Sequence, residues 1–146
     1  MTRLERQKEK AEKEKAFLEY LLSLNFLTSE LKAKFRITSV WINFRKKCYE
    51  KSKGLDAVTL RKLPKRWENH HKDLNPSPSH YCSMDIKKFS CLSNQSHECI
   101  HYLYEVYRKD KNVLKRLKKI LDDMVYINDG MSINDYKKLI KKNKEI

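Results

Sequence analysis

Only two glycines and three prolines punctuate the 146 residues of this chain, and that scarcity limits the fold before any motif is read. Tight turns draw on glycine for positive φ and on proline for a φ fixed at about −65°. A chain so poor in both spends its length in long regular segments, which favours helices over a turn-rich β architecture. Apolar residues make up 40%, enough for one modest core, and charged residues make up 36%, so most helices carry a wide solvated face. The length suits one compact domain, or one small domain with helical extensions.

Helix signals follow in order along the chain. Thr2 with Glu5 forms a capping-box start, and Phe17, Leu18, Leu21, Leu22 and Leu24 recur at helical spacing. They predict a helix from about Arg3 to Leu24 with a solvated first half. Thr28 or Ser29 caps a short second helix through Arg36. Thr38 and Ser39 cap a third that holds Val40, Ile42, Phe44 and Cys48 and ends at Gly54. Short helix, three-residue turn and longer basic helix outline a helix-turn-helix, with Leu31, Phe35, Ile37 and Ile42 at its apolar positions. Two residues depart from that outline: Lys32 stands where a small residue usually packs, and Arg36 where the turn glycine usually sits. An ordinary helical hairpin with a basic outer face fits the same spacing.

The middle of the chain changes character. Leu55 to Leu63 carries a short apolar pattern that Pro64 terminates. The first part of the stretch from Lys65 to Ser79 reads as a short strand. Its second part, with Pro76 and Pro78, reads as a turn-rich loop. Phe89-Ser90-Cys91-Leu92 reads as a second short strand. A helix from Asn94 or Ser96 to Lys109 follows, with Ile100, Leu103, Val106 and Tyr107 as its apolar stripe. Asp110 caps the clearest helix, in which Val113, Leu114, Leu117, Ile120, Leu121, Met124 and Val125 share one face. Asn128-Asp129-Gly130 breaks it, and Ser132 with Asp135 starts a last helix to about Lys142.

The net charge is +14, and it is unevenly spread. Between Lys32 and Trp67 stand 12 basic residues, opposed only by Glu50 and Asp56, a local +10. Such a stretch attracts polyanions, of which nucleic acid is the usual one; a Lys-rich composition from an AT-rich genome is the plainer source of the same charge. No apolar run approaches the ~18–20 residues that a membrane span needs, and the N-terminus has no apolar signal core. The four cysteines, Cys48, Cys82, Cys91 and Cys99, form no C-x-x-C pair, so reduced thiols in a cytosol are expected rather than a disulfide framework.

Four of the five histidines read as one constellation. His97 and His101 stand i, i+4 on a predicted helix, so their rings lie on one face, a common way to present two imidazoles to one metal. His70 and His71 end an extended segment, where neighbouring side chains alternate sides. If His70 faces the metal, His71 points elsewhere and is left to act as a base. At this point the sequence resembles the HNH, or His-Me finger, nucleases, with the short phage- and plasmid-type members most similar. The resemblance rests on His70-His71-Lys72-Asp73, then Asp85 to Leu92, then His97-Glu98-Cys99-Ile100-His101, and covers about Trp67 to Tyr107.

That resemblance implies a ββα-metal unit within a mainly α fold. It also implies a metal-dependent DNA endonuclease, phage- or mobile-element-encoded and acting in the cytoplasm of a bacterial host. It makes His70, His97 and His101 ligands of a divalent ion (Zn, Ni, Mn or Mg) and His71 the general base. An all-imidazole shell suits Zn or Ni better than Mg. DNA is the expected partner and a membrane is not. Arg45, Lys46, Lys47, Lys65, Arg66 and Lys72 are the expected DNA contacts. The expected organisation is a basic helical region over residues 1–55, the ββα unit over 56–109 and bracing C-terminal helices over 110–146. One departure from the family pattern is Lys88, which stands where an Asn usually orients the base; another is the lack of a cysteine knuckle partner for Cys91.

A zinc finger competes for two of the same histidines. Cys82, Cys91, His97 and His101 show C-x8-C-x5-H-x3-H spacing, close to a nucleic-acid-binding finger without catalytic activity. That reading needs both cysteines as thiolates and leaves His70 and His71 out. His80 belongs to neither set and is expected in the exposed loop. Tyr102, Tyr104 and Tyr107 are expected against the helix from Asp110, and Trp67 in the core.

Overall fold

The computed structural model describes residues 1–107, 110–128 and 130–144. The chain falls into two compact units, Met1–Ile100 and His101–Ile146. The division lies inside a helix that runs unbroken from Asn94 to Tyr107.

Three helices build the N-terminal part. Helix α1 spans Arg3–Leu22, with Thr2 and Glu5 closing the expected capping box. It stops at Ser23, two residues short of the predicted end, where the Ser23 hydroxyl donates to the Tyr20 carbonyl at 2.6 Å. Helix α2 spans Ser29–Arg36 with Thr28 as N-cap, and α3 spans Ser39–Lys51 with Thr38 as N-cap. Each threonine oxygen accepts an amide of the first turn, which satisfies a donor the helix leaves open. Gly54 closes the exit from α3: it adopts φ +70° and its amide donates to the Tyr49 carbonyl. A Cβ there would lie 2.8 Å from the Tyr49 hydroxyl, so the close approach as well as the backbone calls for glycine.

The centre is a two-stranded antiparallel sheet. Strand β1 is Glu68–His71 and β2 is Phe89–Leu92, paired Glu68 with Leu92, Asn69 with Cys91, His70 with Ser90 and His71 with Phe89. Between them runs a loop containing the short helix α4, Pro78–Tyr81, and a 3-10 turn over Ile86–Lys88. The sequence pattern predicts loop throughout the proline segment; Pro78 in fact sits at the helix start behind Ser77, where its fixed φ and missing N–H cost nothing. Helix α5, Asn94–Tyr107, follows β2 directly and completes a ββα unit. The expected end of this helix at Lys109 lies outside the described residues. The chain is thus mainly helical, with one small ββα unit and helices at both ends.

The core lies between α1–α3 and one face of the sheet. Leu21, Phe35, Trp41, Phe44, Cys48, Cys82, Phe89 and Cys91 are all buried in it. Trp41, Phe44 and Cys48 recur at helical spacing along α3 and point at β2, with the Phe44 and Phe89 rings edge-to-face at 4.9 Å. Strand pleating therefore divides the residues: Asn69, His71, Phe89 and Cys91 share the core face, while Glu68, His70, Ser90 and Leu92 share the other.

The second unit carries helix α6, Lys111–Ile127, and helix α7, Ile133–Lys144. Asp110 caps α6 by accepting from the amides of Asn112 and Val113, and the Ser132 hydroxyl accepts from the Asp135 amide at the start of α7. Of the expected break, Gly130 takes φ +69°, while Asp129 lies outside the described residues. The apolar stripe of α6 is real but exposed: Ile120, Leu121, Met124 and Val125 are 48–61% accessible. Tyr102 and Tyr104 are likewise 64% and 41% exposed, while Tyr107 is half-buried. Among the described residues no helix is long and apolar enough to cross a membrane.

Candidate metal centre and its neighbours

The three predicted ligands come together. One ring nitrogen from each of His70, His97 and His101 lies within 4.8 Å of the others, and this is the one such His/Cys/Asp/Glu group among the described residues. His70 is buried on the outer face of β1, and its ring meets that of His97 edge-on at 5.2 Å. His97 and His101 stand one turn apart on α5 and are half-buried. Three imidazoles at this separation are close enough to hold one metal ion, and neutral nitrogen donors fit a borderline cation such as zinc.

Helix α5 is anchored where it meets the sheet. Asp56, 2% exposed, accepts the amides of Val58 and Thr59 at one oxygen and that of Ser93 at the other. Ser93 in turn accepts the Ser96 amide at 3.2 Å. Burial alone would raise the Asp56 carboxyl; the Ser93 and Val58 donors outweigh it and hold the group well below the usual carboxylate range. A buried carboxylate thereby fixes the start of the helix that carries His97 and His101.

His71 occupies the opposite face of β1. Its ring is stacked on Tyr81, with centroids 4.5 Å apart and planes 13° from parallel, and lies nearly parallel to Trp41 at 5.7 Å. Phe89 closes a third side at 4.6 Å. His71 Nε2 sits 3.3 Å from the Tyr81 carbonyl oxygen. A carbonyl only accepts, so Nε2 carries the proton and Nδ1 keeps its lone pair. Burial pushes the His71 pKa down, aided by the positive charges of Arg36 and Lys32 and opposed by the Tyr81 carbonyl and Asp73. The imidazole is neutral at pH 7.

The loop between the strands is pinned by charge. Asp73 receives His80 Nδ1 at 2.5 Å and Lys88 Nζ at 3.4 Å. The His80 hydrogen bond is the largest influence on Asp73, whose carboxyl is depressed to about 2. Lys88, at the position where the resemblance expects an Asn, thus ties the entry to β2 to the exit from β1. His80 is half-buried in this pair rather than loose in the loop. The group that meets the His71 ring nitrogen is the Tyr81 carbonyl on α4. The sequence pattern assigns no role to Tyr81, Asp73 or His80; Ser77-Pro78, an N-cap residue followed by proline, is the signal that finds α4 and with it the carbonyl.

The two cysteines of the zinc-finger spacing lie elsewhere. Cys91 sits on the core face of β2, opposite Asn69 and away from His70, and Cys82 is buried in the same core. Burial raises both thiols, Cys82 to about 11, the behaviour of small apolar residues rather than of metal-binding thiolates.

The expected DNA contacts divide. Lys46, Lys47, Lys65, Arg66 and Lys72 are exposed, although Lys72 Nζ also donates to the Lys87 carbonyl at 3.3 Å. Arg45 is engaged elsewhere: its Nη2 donates to the Trp67 carbonyl at 2.6 Å and its guanidinium lies 3.8 Å from the centre of the Trp67 ring. It packs α3 against the segment leading into β1, and burial lowers its pKa. Trp67 is correspondingly half-buried beside Arg45 and Tyr49, and packs against the core from its edge.

The chain matches no protein-family model, no curated protein and no solved structure.

Proposed function

We propose that the protein is a metal-dependent DNA endonuclease of HNH type. The observation that carries this reading is the convergence of His70, His97 and His101 on one point, with a fourth, neutral histidine adjacent in sequence on the other face of the same strand. His70, His97 and His101 hold the divalent ion. When bound, that ion supplies a Lewis acid for a phosphate oxygen and for the departing 3′ oxygen. His71 works at Nδ1: with Nε2 donated to the Tyr81 carbonyl, the free lone pair takes a proton from water as that water attacks phosphorus. Attack in line leaves 5′-phosphate and 3′-hydroxyl ends. Lys65, Arg66 and Lys72 flank β1 in sequence and contact neighbouring phosphates, with Lys46 and Lys47 adding to the field that draws DNA in. Arg45 is left out of that interface because Trp67 holds it.

The deciding experiment is plasmid nicking with a panel of divalent ions beside His71→Ala and His97→Ala. Metal-dependent cutting that both substitutions abolish supports the proposal; full activity in both variants removes it.

A further inference from the structure

Two cations of α2 converge on the aromatic ring that supports His71. Arg36 Nη1 donates to the Tyr81 hydroxyl at 3.1 Å, and the Lys32 ammonium lies 5.1 Å from the centre of the Tyr81 ring. The same ring is stacked on His71. Lys32 and Arg36 are i, i+4, so they share a face of the helix. They are also the two residues that depart from a helix-turn-helix, and the departures fall where α2 meets the candidate site.

Neither cation is used up by the fold. Among the described residues neither forms an ion pair with a carboxylate. A guanidinium has five N–H donors, and the Tyr81 hydroxyl takes one from Arg36. Asp73, the acid beside His71, is already paired with His80 and Lys88. The positive charge of both residues reaches His71, where each opposes protonation. Unneutralised cations around a ring that faces a candidate hydrolytic base form a place for an anion, and on a nucleic acid that anion is a backbone phosphate.

We propose that Lys32 and Arg36 form a phosphate clamp that holds the nucleic-acid backbone beside His71. The α2–α3 pair then grips backbone and does not read bases. This rests on the nuclease reading of the His71 site, and its test is arranged to separate the two.

The test measures binding of the full chain to a short mixed-sequence DNA duplex in EDTA, where no cutting occurs, across a salt series. The double variant Lys32→Gln/Arg36→Gln should lower the slope of log affinity against log salt by about two, at ~0.9 for each phosphate that is no longer neutralised. It should weaken binding at moderate salt about tenfold, and equally for unrelated sequences. Lys32→Arg/Arg36→Lys should restore both, which excludes misfolding as the cause. Lys137→Gln/Lys138→Gln removes the same charge from α7 and should leave the slope within about half a unit of the parent's. Equal losses in the α7 variant, or an unchanged slope in the α2 variant, overturn the clamp. A slope that falls as expected in a protein that none of the divalent ions makes cut would keep the clamp and remove the nuclease.

Discussion

His71 is held as a neutral imidazole by its surroundings. Rings on three sides keep water from solvating an imidazolium, and the Tyr81 carbonyl fixes which nitrogen carries the proton. On the proposed nuclease reading, His71→Ala should lower cutting by about 10²–10⁴-fold, the usual share of a general base. His71→Phe should lose the same activity while keeping the stacking, so its melting temperature should stay near or above the parent. The shift also predicts a pH effect on stability. The folded state binds a proton at His71 less readily than the unfolded chain, whose histidine titrates near ~6.5. Stability contributed at this position is therefore complete above pH ~6.5 and falls as pH drops through the lower folded-state pKa. Urea melts between pH 7 and pH 5 should show a decline that is smaller in His71→Phe.

At the scale of elements, α5 depends on Asp56. This buried carboxylate accepts three backbone amides, two from its own turn and one from Ser93. Hydrogen bonds to a buried charge contribute about 1.5–3 kcal/mol each, so Asp56→Ala should destabilise the protein by roughly 3 kcal/mol once relaxation is allowed for, read from urea unfolding. Because folding depresses this carboxyl, its contribution is complete above the unfolded value of about 3.9 and disappears as pH falls below it. The parent should lose stability below pH ~4 more steeply than Asp56→Asn. If α5 is set by this anchor, Asp56→Asn should also weaken metal binding without touching a ligand. An unchanged metal affinity would show that the sheet alone positions His97.

For the whole molecule, an ion held by His70, His97 and His101 would couple to stability. A cation that binds the folded state alone and is present at 100 times its Kd adds about 2.7 kcal/mol. Zinc or nickel should therefore raise the thermal midpoint of the parent, and His97→Ala should abolish the rise. Cys82→Ser and Cys91→Ser should keep stoichiometric metal, since both thiols belong to the core. Loss of metal in either cysteine variant, with the fold intact by circular dichroism, would restore the zinc-finger reading and remove the histidine set.

The sequence by itself determined the elements. Capping residues at Thr2, Thr28, Thr38 and Asp110 placed the helix starts, and the apolar period along α3 chose its buried face. The H-x-x-x-H spacing put two imidazoles on one side of α5, because helical geometry is local and repeats every 3.6 residues. Which distant groups meet is not local, and only the tertiary structure decided it. Nothing in the spacing says that His70 closes on His97 while Cys91 turns into the core; sheet register settles that. Nor does it say that Trp67 engages Arg45, or that Tyr81 on an overlooked turn of helix supplies a carbonyl to His71 and a hydroxyl to Arg36. Those pairings come from packing two aromatic-rich elements against a four-residue strand, where each side chain takes whichever partner the shared core leaves within reach.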